Sequence, residues 1–346
     1  MNKVKKLVLF VVVICAVGTI KITTTQKNIV AKQTIFVMGD SKSSYYSKKK
    51  YPRRGWVQQF IPMLKNTTKV HAERPEQYKE YSHVVRYNMD QYTIENWSLG
   101  GISCKTFYQS GRFVAMLDQV KKNDYVIIAL QHNDKKQNVG EKVADYRNYL
   151  IYFTQQIQKK GAKVVFMTTP PKNYTNKKKF KIYVPEYRNA MLQVAKLYKS
   201  PCIDLSKIST DYFNFRGKQY VDTLYMKLQP GIYPAWNKGI DDNTHFSENG
   251  AKVLARIIAV DLQANHQIPI LNRQFKQNTE GLYKACRSAA VYNDSKQYTV
   301  KTWKHMIVQR NNAWKILYTP NVTDKQCKQA EVSLKRSLKG LKRKHG

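Results

Sequence analysis

Four short polar segments of this chain carry residue types that chemistry needs and packing does not. Gly39-Asp40-Ser41 closes a short apolar run. A serine on a tight turn out of a strand presents its hydroxyl at the sheet edge, as a nucleophile requires. A helix N-cap would use the same residue. Asp242-Asn243-Thr244-His245 sets an acid three residues before a histidine. That spacing lets the carboxylate hold the imidazole Nδ1–H while Nε2 takes a proton from a serine. Gln131-His132-Asn133-Asp134 offers an asparagine amide to a developing oxyanion. Leu99-Gly100-Gly101-Ile102-Ser103 offers glycines through which a backbone N–H can approach the same oxygen.

These segments matter only if the fold gathers them. Short apolar runs predict strands at 34–38, 92–97, 125–130, 162–168 and 202–205. Helical spacing falls at 55–64, 111–121, 141–160, 185–198 and 247–264, with Pro185 opening one helix and Ser247 capping another. Strands alternating with helices imply a parallel sheet covered on both faces, with the active site at the carboxyl ends of its strands. Three of the four polar segments follow predicted strands directly. Beyond about residue 267 the alternation stops. There, 298–318 reads as two strands around Arg310-Asn311-Asn312, and 324–341 as a basic helix.

Composition sets the environment. The chain has 346 residues, and 60 Lys+Arg against 23 Asp+Glu give a net charge of +37. Such a field needs a polyanionic environment or tolerance of self-repulsion. Lys3, Lys5 and Lys6 precede an uncharged run over 7–20, the form of an export signal or an N-terminal anchor. Export points the charge at an anionic cell envelope and away from nucleic acid, for which no recognition module is present. The residues beyond 270 hold 17 Lys and Arg against 4 Asp and Glu. Of the five cysteines, Cys286 and Cys327 are the pair that a disulfide outside the cell would join. No spaced ligand set among the seven His suggests a metal, no cofactor is expected, and the chain is read as a monomer.

Together the four segments resemble the SGNH (GDSL) hydrolase family, whose blocks carry Ser, Gly, Asn and His in this order, and within it the rhamnogalacturonan acetylesterase branch. The likeness includes Gly101-Ile102-Ser103 with Ser110-Gly111-Arg112-Phe113, Asn123-Asp124-Tyr125-Val126-Ile127 leading into His132-Asn133-Asp134, and Asp242 to His245 followed by Phe246-Ser247. Tyr51-Pro52 and Gly55-Trp56 look like the segment after the nucleophile, and the resemblance spans roughly 34–264.

The resemblance implies a three-layer α/β/α sandwich, flavodoxin-like, with a five-stranded parallel sheet in the order 2-1-3-4-5. It implies Ser41 as nucleophile, His245 as general base and then acid, and Asp242 as the residue that orients His245. The backbone N–H groups of Ser41 and Gly101, with the Asn133 amide, would form the oxyanion hole. The expected domains are a leader over 1–22, a hydrolase over 34–266, and a basic C-terminal subdomain over 267–346. The expected function is exported hydrolysis of short, acetyl-type esters on a glycan, with His132, Trp56 and Tyr45 as candidate substrate contacts. A lipase or lysophospholipase, and a non-catalytic wall-binding protein, are the alternatives. Lys42 after the nucleophile and Gln131 before His132 depart from the family pattern, as do inserts at 67–90 and 210–240.

Overall fold

The computed structural model describes residues 32–344. The leader expected over 1–22 lies outside them. Strand β1 (Gln33–Gly39) sits at the centre of a sheet because its side chains are apolar on both faces. Ile35 and Val37 enter one core, while Phe36 and Met38 enter the other. Strand β4 (Tyr125–Ala129) repeats this split, with Ile127 on the first face and Val126 and Ile128 on the second. Near-continuous apolar runs of this kind mark parallel strands buried on both sides.

Strands β3 (Tyr92–Asn96), β1, β4, β5 (Lys163–Met167) and β6 (Cys202–Ile203) run parallel in that order, which is the expected 2-1-3-4-5. A sixth strand, β2 (Val85–Asn88), adds antiparallel to β3 at the edge. The expected five strands are therefore corrected to six. Arg86 on β2 pairs with buried Glu95 on β3 at 2.6 Å, and Glu95 also accepts the Trp97 indole N–H. The fifth strand is shorter than the expected 202–205 because Asp204 leaves the sheet to cap the next helix, accepting the Lys207 N–H.

One face is covered by α2 (Cys104–Gln109), α3 (Arg112–Gln119), α4 (Val143–Lys159) and α5 (Pro185–Leu197), which pack through Phe107, Phe113, Phe153 and Met191. The other carries α1 (Trp56–Phe60), α6 (Leu205–Arg216) and α8 (Glu248–Ala264). The short helix α7 (Lys218–Asp222) leads into a two-stranded antiparallel ribbon, β7 (Tyr225–Leu228) with β8 (Ile240–Phe246).

The C-terminal region is helical: α9 (Glu280–Ala289), α10 (Val300–Tyr318) and α11 (Asp324–Lys339). The hairpin expected over 298–318 is corrected to the single helix α10. Met306, Ala313 and Leu317 are buried at helical spacing, and Asn311-Asn312 lie on its solvent face. Leu282, Ala285, Leu317, Ala330 and Leu334 join the core of α8 and α1. Arg256 of α8 is buried and donates from Nε to the Leu317 carbonyl. The chain from Lys32 onward is thus one compact unit, and the tail is a further layer of it. Cys286 and Cys327 are both free and buried in that layer. Among the described residues no helix is long and apolar enough to cross a membrane.

Candidate active site

The turn after β1 is set by Asp40. Its carbonyl accepts the N–H groups of Ser43 and Ser44, and its carboxylate accepts the Lys42 N–H at 2.8 Å. Gly39 is needed just before it, because a Cβ there would fall 2.5 Å from Ser43 Oγ and 2.7 Å from Ser98 Oγ. The turn leaves Ser41 at the carboxyl end of the sheet, only 5% exposed.

His245 comes from strand β8 rather than from a loop. Its Nδ1 lies 2.6 Å from Asp242 Oδ2, and its Nε2 lies 3.0 Å from Ser41 Oγ. Burial alone would raise Asp242. The hydrogen bond and charge of His245, with the backbone N–H groups of His245 and Thr244, overcome it and hold the carboxyl well below the usual range. An ionised carboxylate only accepts, so Nδ1 carries the proton and Nε2 is free to accept from the serine hydroxyl. Burial lowers the His245 pKa first; the Asp242 hydrogen bond opposes this, and the nearby charges of Arg53 and Lys42 add to it.

The segment after β3 holds Gly101 at φ +84°, a left-handed conformation that L side chains rarely adopt. Ser103 then caps α2 by accepting the Thr106 N–H. Asn133, after β4, is buried and donates from Nδ2 to the Ile102 carbonyl at 2.9 Å. The oxyanion candidates Gly101 and Asn133 are thereby joined through Ile102. Ser103 Oγ donates to the Val139 carbonyl, tying the two segments a second time.

The candidate substrate contacts fare differently. Trp56 is corrected: it is 3% exposed, gives its indole N–H to Ser43 Oγ at 2.8 Å and packs edge-on against Phe60, so it supports the Ser41 turn from inside. Tyr45 is half-buried against the core with Arg74 over its ring. His132 is buried against Tyr183, with the rings tilted and 4.7 Å between centroids, and Tyr183 lies beneath Lys172. Burial first, then Lys42, Lys172 and Lys136, hold His132 well below the ordinary histidine range, so it stays neutral.

Two further residues beside Ser41 take places that the sequence does not reveal. Tyr46 donates its hydroxyl to the Ser41 carbonyl at 2.8 Å and lies under Arg53. Lys42 is fully buried, with its ammonium 3.5 Å from Asp40 Oδ2, and burial brings its pKa down to about 8 despite that partner. The alternation of aromatic and basic residues over 45–54 was the one visible signal, and it reads equally well as a solvated loop.

A family model described as GDSL-like Lipase/Acylhydrolase matches residues 35–258. The chain is 26% identical over 230 residues to the rhamnogalacturonan acetylesterase RhgT of Bacillus subtilis, a match covering 66% of this chain and 89% of that protein. It is 30% identical over 170 residues to the probable rhamnogalacturonan acetylesterase YesY of the same organism, over 48% of this chain and 74% of that one. The solved structure of the Bacillus subtilis protein YxiM superposes with a TM-score of 0.54 at 24% identity, covering 69% of this chain and 58% of that chain, a likeness of fold.

Proposed function

The chain belongs to the GDSL-like lipase/acylhydrolase family and is a carboxylic ester hydrolase; from that premise we propose that it removes acetyl groups from an acidic, oxygen-rich glycan outside the cell, with Ser41 as its nucleophile. The observation that carries the mechanism is the unbroken line from Asp242 through His245 to Ser41 Oγ. His245 takes the Ser41 proton as Oγ attacks the ester carbon. It then returns that proton to the leaving alcohol and activates water to release acetate from the acyl-enzyme. In the attack the carbonyl oxygen becomes an anion, whose stabilisation is assigned to the N–H groups of Ser41 and Gly101 and to the Asn133 amide.

The substrate class rests on what surrounds the nucleophile. Lys42, Lys172 and Lys136 act on His132, and Arg53 and Lys42 act on His245. Cations grouped this close to Ser41 favour an anionic alcohol part and disfavour a long alkyl chain beside them. The relatives named as rhamnogalacturonan acetylesterases support the same reading. Export is supported by the basic residues ahead of the apolar run over 7–20.

The test is release of acetate from acetylated acidic and neutral polysaccharides, beside turnover of short- and long-chain aryl esters. The proposal expects acetate release to favour the acidic polymer and aryl turnover to favour acetate. Preference for a long acyl chain would return the protein to the lipase class.

A further inference from the structure

The loop that carries Asn133 contains a feature the reaction does not require. Asp134 is completely buried. Its Oδ1 accepts the Cys104 N–H at 2.8 Å, at the start of α2, but its Oδ2 has no hydrogen-bond donor among the described residues. Neither carboxyl oxygen of Glu141 has one, although both are buried. The backbone folds these residues together, because the Glu141 N–H donates to the Asp134 carbonyl at 3.0 Å. Tyr187 fixes the far side by donating to the Glu141 carbonyl at 2.7 Å. One carboxyl oxygen each of Asp134 and Glu141 and the Cys104 sulfur lie within 4.8 Å of one another.

Two carboxylates at that separation in a buried site cannot both be ionised. One proton between them removes the charge clash and partners an oxygen on each residue at once. We propose that Glu141 is held as the neutral acid and donates to Asp134 Oδ2, and that this contact locks the Asn133 loop onto the start of α2 so that Asn133 and Gly101 face one oxyanion. Glu141 is then a positioning residue. The inference rests on the esterase reading of the Ser41 site.

The charged and titratable groups around the pair are few. Cys104 and Lys105 face it from α2, Asp145, Tyr146 and Tyr149 from α4, Tyr187 from α5, and Asp40 from the nucleophile turn. Lys105 is the one cation among them. Burial, and then the Asp134 charge, raise the Glu141 pKa far above the usual glutamate range. A raised carboxyl stabilises the fold fully below its unfolded value, and that contribution is lost as pH climbs to the folded value. The window runs from the ordinary 4.5 to about 9.

The test compares wild type with Glu141→Ala and Glu141→Gln. It measures kcat and KM on an aryl acetate against pH, thermal unfolding against pH, and the metal content of the purified proteins. Glu141→Ala should lower kcat about ten- to a hundredfold with little change in KM, the size expected when a catalytic donor is displaced. Glu141→Gln should rescue that loss, because its amide donates as the acid does. Wild type should lose activity above about 9, and Glu141→Gln should not. The Lys42 titration near 8 is common to both and cancels in the comparison. Across the window the unfolding temperature of wild type should fall relative to that of Glu141→Gln, in which only the groups common to both forms titrate. An unchanged alkaline limb in Glu141→Gln, a parallel stability profile, or a stoichiometric metal ion would overturn the proposal. If no form turned over the ester, the esterase reading would fail, and the stability profiles would still judge the shared proton.

Discussion

Ser41, His245 and Asp242 lie on one line of hydrogen bonds, so under the proposed mechanism each substitution along it has its own signature. Asp242→Asn should leave the fold intact and cost about 10⁴ in kcat, because an amide can hold the wrong imidazole tautomer. Circular dichroism beside kinetics on an aryl acetate separates that outcome from unfolding. Asn133→Ala should cost about 10²–10³ in kcat. His245 must be neutral to act, and burial with nearby Arg53 and Lys42 holds its pKa below 6.5. Activity should therefore rise with pH through a midpoint on the acid side of 6.5. A midpoint above it would mean that Asp242 dominates and that the cations lie too far away to matter. Residue type and spacing marked Ser41, Asp242 and His245 as candidates, but each alone read as well or better as a cap or loop residue, and only the family resemblance gave them their roles. The place of Trp56 was not legible, because sequence does not say which side of a short helix faces the sheet, and its indole N–H found Ser43 inside the protein. Lys42 looked like a surface cation and is instead sealed against Asp40.

At the scale of elements, the strands that could be read were those with no polar face. β1 and β4 bury both sides, so their apolar runs are unambiguous. β2 carries Arg86 and Asn88 on an edge, and its place depends on Glu95 of the neighbouring strand, a partner no local pattern reveals. β8 reads as a polar loop because its run Asp241 to His245 carries no apolar residue, and among the described residues its ladder is with β7. α10 was mistaken for a hairpin because it contains β-branched residues, two of which, Val300 and Val308, stay exposed. Its buried residues nonetheless follow the helical period. Leu317→Ala, at 1% exposure, should destabilise the protein by about 2–5 kcal/mol in denaturant unfolding. A loss under about 0.5 kcal/mol, the range of surface sites, would mean that α10 does not pack as described.

For the whole molecule, the tail's place in the core changes what a truncation should do. A chain ending at residue 266 would expose the α8 surface that α9, α10 and α11 cover and would leave Arg256 without its Leu317 partner. Such a protein should aggregate or melt far below wild type instead of working as a free-standing hydrolase. Soluble expression and thermal melting check this, and a truncated protein with wild-type melting would show the tail to be dispensable. The net charge of +37 makes its own prediction. Attachment of the full protein to an anionic polymer should weaken steeply with salt, because screening shortens from about 8 Å at 0.15 M to 3 Å at 1 M. Binding that ignores salt would point to contacts other than charge.

The central claim is that Ser41 carries the acyl group. The most direct measurement is stoichiometric inactivation by an aryl phosphonate, with the adduct located by mass spectrometry of the digested protein. One adduct per chain is expected, on the peptide that contains Ser41, with aryl acetate turnover lost in step. Ser41→Ala should take up no label and fall by several orders of magnitude in turnover. Full inactivation with the adduct on another residue, or wild-type turnover in Ser41→Ala, would contradict the account.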